Sequence, residues 1–356
     1  MKKLIIICIM LLLPIRIKAI ETSATSAILV DTDSGRILYS KDIHNKRSIA
    51  SISKIMTAII AIESNKLDDV VEINDSIDES YGSGIYIKKG EHISLEDLVY
   101  GLMLRSGNDA ALAIANYVGG SKEEFVNMMN KKAEEIGMKN TLFRNPSGLD
   151  EEDGGNISTA YDMSLLISYA IKNDKFKEIT GTKHHKVETD KNIYSWTNKN
   201  KLLFSYKNTT GGKTGFTVKA RRTLVTTASK DNLNLAVVTL NDGSDFKDHQ
   251  DLFEYGFNNY TNYQLLKKGT INIPDTNNEL EYYIENDYTY PLLEQEEENI
   301  LIKYKLEKNP KEIAGNIEVY LGDKLLYKEP ILVKEKETKQ KKSLLKKIKE
   351  IFKHDK

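Results

Sequence analysis

Residues 50–59 read ASISKIMTAI, and the reading of this stretch decides the fold. Ile52, Ile55, Met56, Ile59 and Ile60 recur at i, i+3, i+4, i+7 and i+8, the spacing of a helix that buries one stripe. Ser51 and Lys54 are three apart, so they stand one above the other on the flank of that stripe. A serine hydroxyl is a poor nucleophile near neutral pH and needs a base. A lysine amine is that base only when burial or a neighbouring cation lowers its pKa. In the first turn Ser51 also meets the positive end of the helix dipole, which favours negative charge developing on its oxygen. The plain alternative is two polar residues on a helix flank. The same SxxK pattern recurs at Ser244–Lys247 and Ser343–Lys346, so on its own it decides nothing.

Two more stretches bear on the choice. LRSGNDAA places Ser106, Gly107 and Asn108 in a loop between apolar helical segments: a hydroxyl able to relay a proton and an amide able to hold a carbonyl. TTGGKTGFT places Lys213, Thr214 and Gly215 at the start of a strand, with Gly215 letting a substrate backbone approach closely. Gly-Lys-Thr also ends the phosphate-loop motif, but that motif requires glycine at position 207, where this chain has Lys207.

Outward from these triplets, SAILVDTDSGRILYS reads as a β-hairpin, and RTLVTTAS and LNLAVVTL flank the turn KDNLN as a second one. Helical patterns, among them Leu95 to Val118 and Lys122 to Ile136, fill the interval. Strands at both ends with helices between predict an α+β fold: one central antiparallel sheet assembled from distant pieces and flanked by helices. With 356 residues the chain has room for a second domain. Tyr260 to Val333 holds nine of the 19 tyrosines and alternating runs such as ILIKYKL and GNIEVYLGDKLLY, which predicts a small β-rich domain at 260–333. Residues 334–356 carry ten Lys against four Asp or Glu. Leu344, Leu345, Ile348, Ile351 and Phe352 share one helical face there, a basic amphipathic tail suited to an anionic membrane surface. A solvated tail is the plain alternative.

The opening MKKLIIICIMLLLPIRIKA has two lysines, an apolar stretch from Leu4 to Leu13 and a small residue at Ala19. It reads as an export signal over residues 1–19, too short to span a bilayer core of roughly 30 Å. The single cysteine, Cys8, lies inside it, so a catalytic cysteine, a disulfide and a cysteine-ligated metal are excluded from the mature chain. The formal net charge of −1 gives no reason to expect a nucleic-acid partner. His184 and His185 are adjacent, face opposite ways on a strand and do not readily share a metal. No metal and no cofactor are expected.

With SxxK, SGN and KTG in that order, Ser106 lying 55 residues after Ser51 and Lys213 lying 107 after Ser106, the chain resembles the penicillin-recognising serine enzymes. Longer stretches, among them GEHISLEDLVYGLMLRSGNDAALAIA, FVNMMNKKAEEIGMKNTLFRNPSGLD and STAYDM, are similar to the serine D-Ala-D-Ala carboxypeptidases, the low-molecular-mass penicillin-binding proteins, from about Ser26 to Phe257. The resemblance implies the transpeptidase/β-lactamase-like fold and a catalytic domain at 20–259. It implies that Ser51 attacks the D-Ala-D-Ala bond of peptidoglycan stem peptides, that Lys54 takes its proton and that Ser106 passes it to the leaving D-alanine. Asn108 would hold the substrate backbone, and Lys213, Thr214 and Thr217 the terminal carboxylate. The backbone N–H groups of Ser51 and Phe216 would form the oxyanion hole beside Gly215. β-Lactam antibiotics are the implied inhibitors, and the outer face of the cell membrane or the wall the implied location. The charge of Lys213 is expected to hold Lys54 unprotonated. Arg221 and Asn156 depart from the family pattern and are expected at the cleft rim. Two rivals remain: a secreted β-lactamase, which needs a water-activating ExxLN stretch that is absent, and a catalytically inert wall- or membrane-binding module, disfavoured because Ser51, Lys54, Ser106, Asn108 and Lys213 are all present.

Overall fold

In the computed structural model the described residues are 20–151, 154–274, 276, 280–308 and 310–335. The expected export signal and, beyond residue 335, the basic tail lie outside them. The chain opens with a hairpin of β1 (Ser26–Asp31) and β2 (Ile37–Lys41), its turn closed by the Asp31 carboxylate, which accepts the Ser34 N–H and hydroxyl at 2.8 and 2.6 Å. Six helices follow: α1 (Lys54–Glu63), α2 (Leu95–Tyr100), α3 (Asn108–Gly119), α4 (Lys122–Ile136), α5 (Ala160–Ala170) and α6 (Asp174–Gly181). Four of them start on a side-chain cap: Ser94, Ser121, Thr159 and Asn173 accept the N–H groups of Asp97, Glu124, Asp162 and Phe176 at 3.0–3.1 Å.

A hairpin of β3 (His184–Glu188) and β4 (Ile193–Thr197) leads to β5 (Thr209–Thr217), β6 (Arg221–Lys230), β7 (Leu233–Leu240) and α7 (Asp245–Asn259). The central sheet has the order β2-β1-β7-β6-β5, every neighbouring pair antiparallel. It is the antiparallel sheet with flanking helices that the sequence predicts. Its first strand in chain order closes on its last, Ser26 pairing with Leu240. Period-two alternation sorts β7 between two cores. Leu235 and Val237 pack with Leu252 and Phe253 of α7, and Ala236 and Val238 with Ile55 and Ile59 of α1 and Ile167 of α5. Both faces are covered, which is why these strands read as nearly unbroken apolar runs.

Two expectations change here. Helix α1 has no polar flank: Lys54 through Ile62 are all buried, so its apolar stripe is part of a helix enclosed on every side. Lys213 lies in the middle of the nine-residue edge strand β5, not at its start. The second SxxK, at Ser244, merely opens α7, with Lys247 paired to Asp251 at the surface. His185 bonds Asp97 at 2.7 Å and stacks on Tyr100, while His184 bonds Thr197 at 3.1 Å.

After α7 come β8 (Tyr260–Leu266), β9 (Gly269–Ile271), β10 (Leu280–Ile284), β11 (Tyr288–Leu293), β12 (Ile300–Leu306), β13 (Ile313–Leu321) and β14 (Lys324–Glu335). β8 pairs with β11, and the rest form a five-stranded sheet in the order β9-β10-β14-β13-β12 around Ile284, Ile317, Val319 and Ile331. Arg36 of the first hairpin ties the central sheet to the β8–β11 pair. Its guanidinium donates to the Pro291 carbonyl at 2.5 Å and the Glu296 carboxylate at 2.6 Å, and lies 5.1 Å from the rings of both Tyr260 and Tyr290. Among the described residues no helix is long and apolar enough to cross a membrane.

Candidate active site

Ser51 sits in a short 3-10 turn, Ala50–Ser53, that feeds directly into α1. The residue before it, Ala50, has φ +49°, a left-handed conformation costly for alanine. Neighbours hold that strain in place. Gly148, itself at φ +80°, packs so close to the Ala50 carbonyl that no Cβ fits, and the Thr223 hydroxyl donates to the Ile49 carbonyl at 3.0 Å. Gly215 makes a similar allowance from the sheet side. A Cβ there would collide with the Thr223 hydroxyl and stand 3.0 Å from the Ser51 nitrogen. What this glycine admits is therefore the chain's own Ser51–Ile52 backbone.

The Lys54 amine is wholly buried and donates to Ser51 Oγ at 3.2 Å, Asn108 Oδ1 at 2.7 Å and the Ser147 carbonyl at 2.5 Å. Burial, and after it the positive charge of Lys199, bring its pKa down from 10.5 to about 7, against a smaller opposing pull from Asp109. Lys213 is also buried. Its amine donates to the Thr214 carbonyl at 2.8 Å, and burial, then Lys54 and Lys199, hold its pKa well below the usual lysine range. The two amines share one buried site in which each positive charge disfavours the other, and Lys199 acts on both. Lys199 follows β4, where its N–H donates to the Leu104 carbonyl at 3.1 Å and its amine to Ser83 Oγ at 3.2 Å.

Ser106 ends a π-helical turn, Gly101–Arg105, that continues α2, and takes a left-handed conformation at φ +63°. Such turns often mark functional positions. Asn108 is engaged at both ends: Oδ1 accepts from Lys54, and Nδ2 donates to the Tyr81 carbonyl at 2.6 Å. It locks the base to the loop carrying Tyr81 and Ser83 and keeps one donor and one lone pair of its amide uncommitted. Asp109 fastens the same loop by accepting the N–H groups of Ile85 and Tyr86 at 3.0 and 2.6 Å. Thr217 accepts the Ala220 N–H at 3.0 Å and so serves the β5–β6 turn. Asn156 is not at the rim. It is buried, accepting the N–H groups of Arg144 and Asn145 at 2.7 and 3.1 Å.

Ser51, Ser106, Thr214, Gly215, Phe216 and Lys199 line one cavity of about 410 Å³, with Lys54 behind Ser51. A larger cavity, about 600 Å³, touches none of them. Lys199, Ser83, Asp109 and the Ser147 carbonyl escape a reading of the sequence. For the last a local signal exists: Asn145-Pro146-Ser147-Gly148 is a turn, with Asn145 Oδ1 accepting the Gly148 N–H at 2.6 Å. Nothing in that signal says that Lys54 lies above the turn.

Residues 14–244 match the family model described as D-alanyl-D-alanine carboxypeptidase. The chain belongs to that family. Among curated members it is 34% identical over 263 residues to the D-alanyl-D-alanine carboxypeptidase DacF of Bacillus subtilis, covering 71% of this chain and 67% of that one. It is 33% identical over 257 residues to DacC of Escherichia coli, covering 68% and 63%. Among solved structures, penicillin-binding protein 5 of Haemophilus influenzae superposes with a TM-score of 0.76 at 25% identity over 90% of this chain and 98% of that one. Penicillin-binding protein 6B of Escherichia coli superposes with a TM-score of 0.72 at 29% identity, over 89% and 97%. The chain is thus a serine-type D-alanyl-D-alanine carboxypeptidase by family, with the transpeptidase/β-lactamase-like fold.

Proposed function

We propose that the enzyme removes the terminal D-alanine from peptidoglycan stem peptides ending in D-Ala-D-Ala, through an acyl-enzyme on Ser51. The observation that carries this is the Ser51 hydroxyl 3.2 Å from an amine whose pKa is near 7, at the wall of an open cavity. Neutral Lys54 takes the Ser51 proton as Oγ attacks the carbonyl of the penultimate D-alanine. Ser106 hands a proton to the departing amine as the peptide bond breaks, and water then releases the acyl group. The N–H groups of Ser51 and Phe216 receive the oxyanion, where one donor is worth roughly 3 kcal/mol. Thr214 contacts the terminal carboxylate, with buried Lys213 acting from beneath it.

We assign residues 20–259 to catalysis and 260–333 to a β-rich domain, and place the enzyme outside the cytoplasm. Its basic tail rests there on anionic lipid. Sedimentation with anionic vesicles, full chain against a chain ending at residue 333, tests the tail: equal binding overturns it. The activity itself is tested by D-alanine release from a stem pentapeptide, together with mass analysis after penicillin. Release that Ser51→Ala abolishes, with a long-lived adduct on Ser51, is the expected result. Rapid penicillin turnover without D-alanine release overturns it in favour of a β-lactamase, and no adduct and no release indicate an inert module.

A further inference from the structure

The cation expected to hold the substrate's free carboxylate does not reach the cavity. Lys213 is 1% exposed and spends a hydrogen bond on the Thr214 carbonyl, so the cavity wall presents Thr214, Gly215 and Phe216 and not the amine. A carboxylate losing water needs a charged, hydrogen-bonding partner. Three other cations face the same cavity: Lys199, Lys201 and Arg222. Lys199 is already bonded to Ser83 and has a lowered affinity for its proton through burial and Arg105. Lys201 lies 6.0 Å from the Phe246 ring and, among the described residues, has no ion-pair partner that fixes its direction.

Arg222 differs from both. It stands on β6 directly opposite Phe216 of β5, the residue whose side chain is 62% exposed at the cavity mouth. One guanidinium nitrogen is fixed by the buried carboxylate of Asp245, at 2.8 Å, and the group lies 6.0 Å from the Phe246 ring. About half of the Arg222 side chain stays exposed, and Arg222, Asp245 and Phe246 all line the cavity with Ser51 and Thr214. A guanidinium anchored at one nitrogen retains donors on the others, and its planar fork matches a carboxylate in a way a lysine ammonium does not.

We propose that Arg222, oriented by Asp245, is the residue that grips the free C-terminal carboxylate of the substrate from the β6 side of the cavity, with Thr214 on the other side. This rests on the carboxypeptidase reading and adds the determinant of its preference for a free chain end. Asp245 is a positioning residue: it touches Arg222 and acts through it.

The test uses the full chain and two peptides, an acyl-D-Ala-D-Ala with a free carboxylate and the same peptide as its C-terminal methylamide, with release of the last residue as readout. Arg222→Gln is expected to raise KM for the free acid roughly 10- to 100-fold, the range of a charge-assisted hydrogen bond, with kcat changed far less. The wild type's preference for the acid over the methylamide should collapse by the same factor. Arg222→Lys should restore part of it, and Asp245→Asn should raise KM without shifting the pH dependence of kcat. Equal losses on both peptides, or no loss on either, overturn the assignment while leaving the carboxypeptidase intact. A wild type that cleaves neither peptide overturns the function and this assignment together. Penicillin adduct formation checks that each variant is folded, and a variant that forms none is replaced by Arg222→Met, for which the same split is required.

Discussion

At the scale of single residues, the chemistry depends on an amine that is neutral at the pH where it works. Lys54 reaches that state by being enclosed, with a second contribution from the charge of Lys199. Its base form fills as pH rises through about 7, so acylation of Ser51 should rise over the same interval, followed as the pH dependence of penicillin adduct formation. Replacing Lys199 with Gln removes a neighbouring cation. The Lys54 pKa then rises, and the acid limb of that profile should move to higher pH; an unmoved limb would show that Lys199 does not act on the base. Lys54→Met should slow acylation by roughly 10²- to 10⁴-fold, the usual worth of a general base. The sequence made the Ser51–Lys54 pair visible because a three-residue spacing on a helix is a local property. Lys199 is 145 positions further along, inside TNKNK, and nothing local distinguishes it from the other lysines.

Elements place these residues by close backbone approach. The 3-10 turn at Ser51 is squeezed between the Gly148 loop and strand β5, and both neighbours meet it at a glycine. Gly148→Ala would add a Cβ against the Ala50 carbonyl at a backbone angle alanine resists, and should cost about 2–4 kcal/mol in denaturant unfolding, with a weaker penicillin adduct at Ser51. Helix α7 is joined to the sheet by a buried histidine. His249 meets the hydroxyls of Thr226 and Thr239 at 2.6 and 3.0 Å, and burial lowers its pKa from 6.5 to about 3. In the unfolded chain this histidine takes up a proton below about 6.5, while in the fold it stays neutral until about 3. Stability is therefore fully present above 6.5 and is lost as pH falls toward 3, by up to about 1.4 kcal/mol per pH unit from this group. His249→Gln should flatten that part of the unfolding free energy against pH. The hairpins and helix starts were legible in advance because turn residues and caps act within a few positions. The π-helical turn before Ser106 was not, and it starts at Gly101, against which Ile85 and Trp196 pack from other parts of the chain.

The whole molecule brings segments from far apart in the chain to one place, and that long-range closure is what an isolated sequence shows least. Composition and alternation sufficed for the α+β class, because both faces of the central sheet are covered and its strands carry the imprint. The joint between the central sheet and the β8–β11 pair depends on Arg36, whose partners Glu296 and Pro291 lie over 250 positions away. Arg36→Ala should cost roughly 1–3 kcal/mol and, in calorimetry, separate one unfolding transition into two; a single unshifted peak would count against the joint. Strand β1 has its own distant dependence. Flanked by β2 and β7, it lacks one of its two hydrogen-bonding neighbours until Leu235–Leu240 are available, about 200 residues after β1 itself. During synthesis the central sheet therefore stays open at its second strand until some two thirds of the chain has emerged, and a nascent chain interrupted just before that point holds Ser51 and Lys54 while β5 and β6 still lack the strand that joins them to β1.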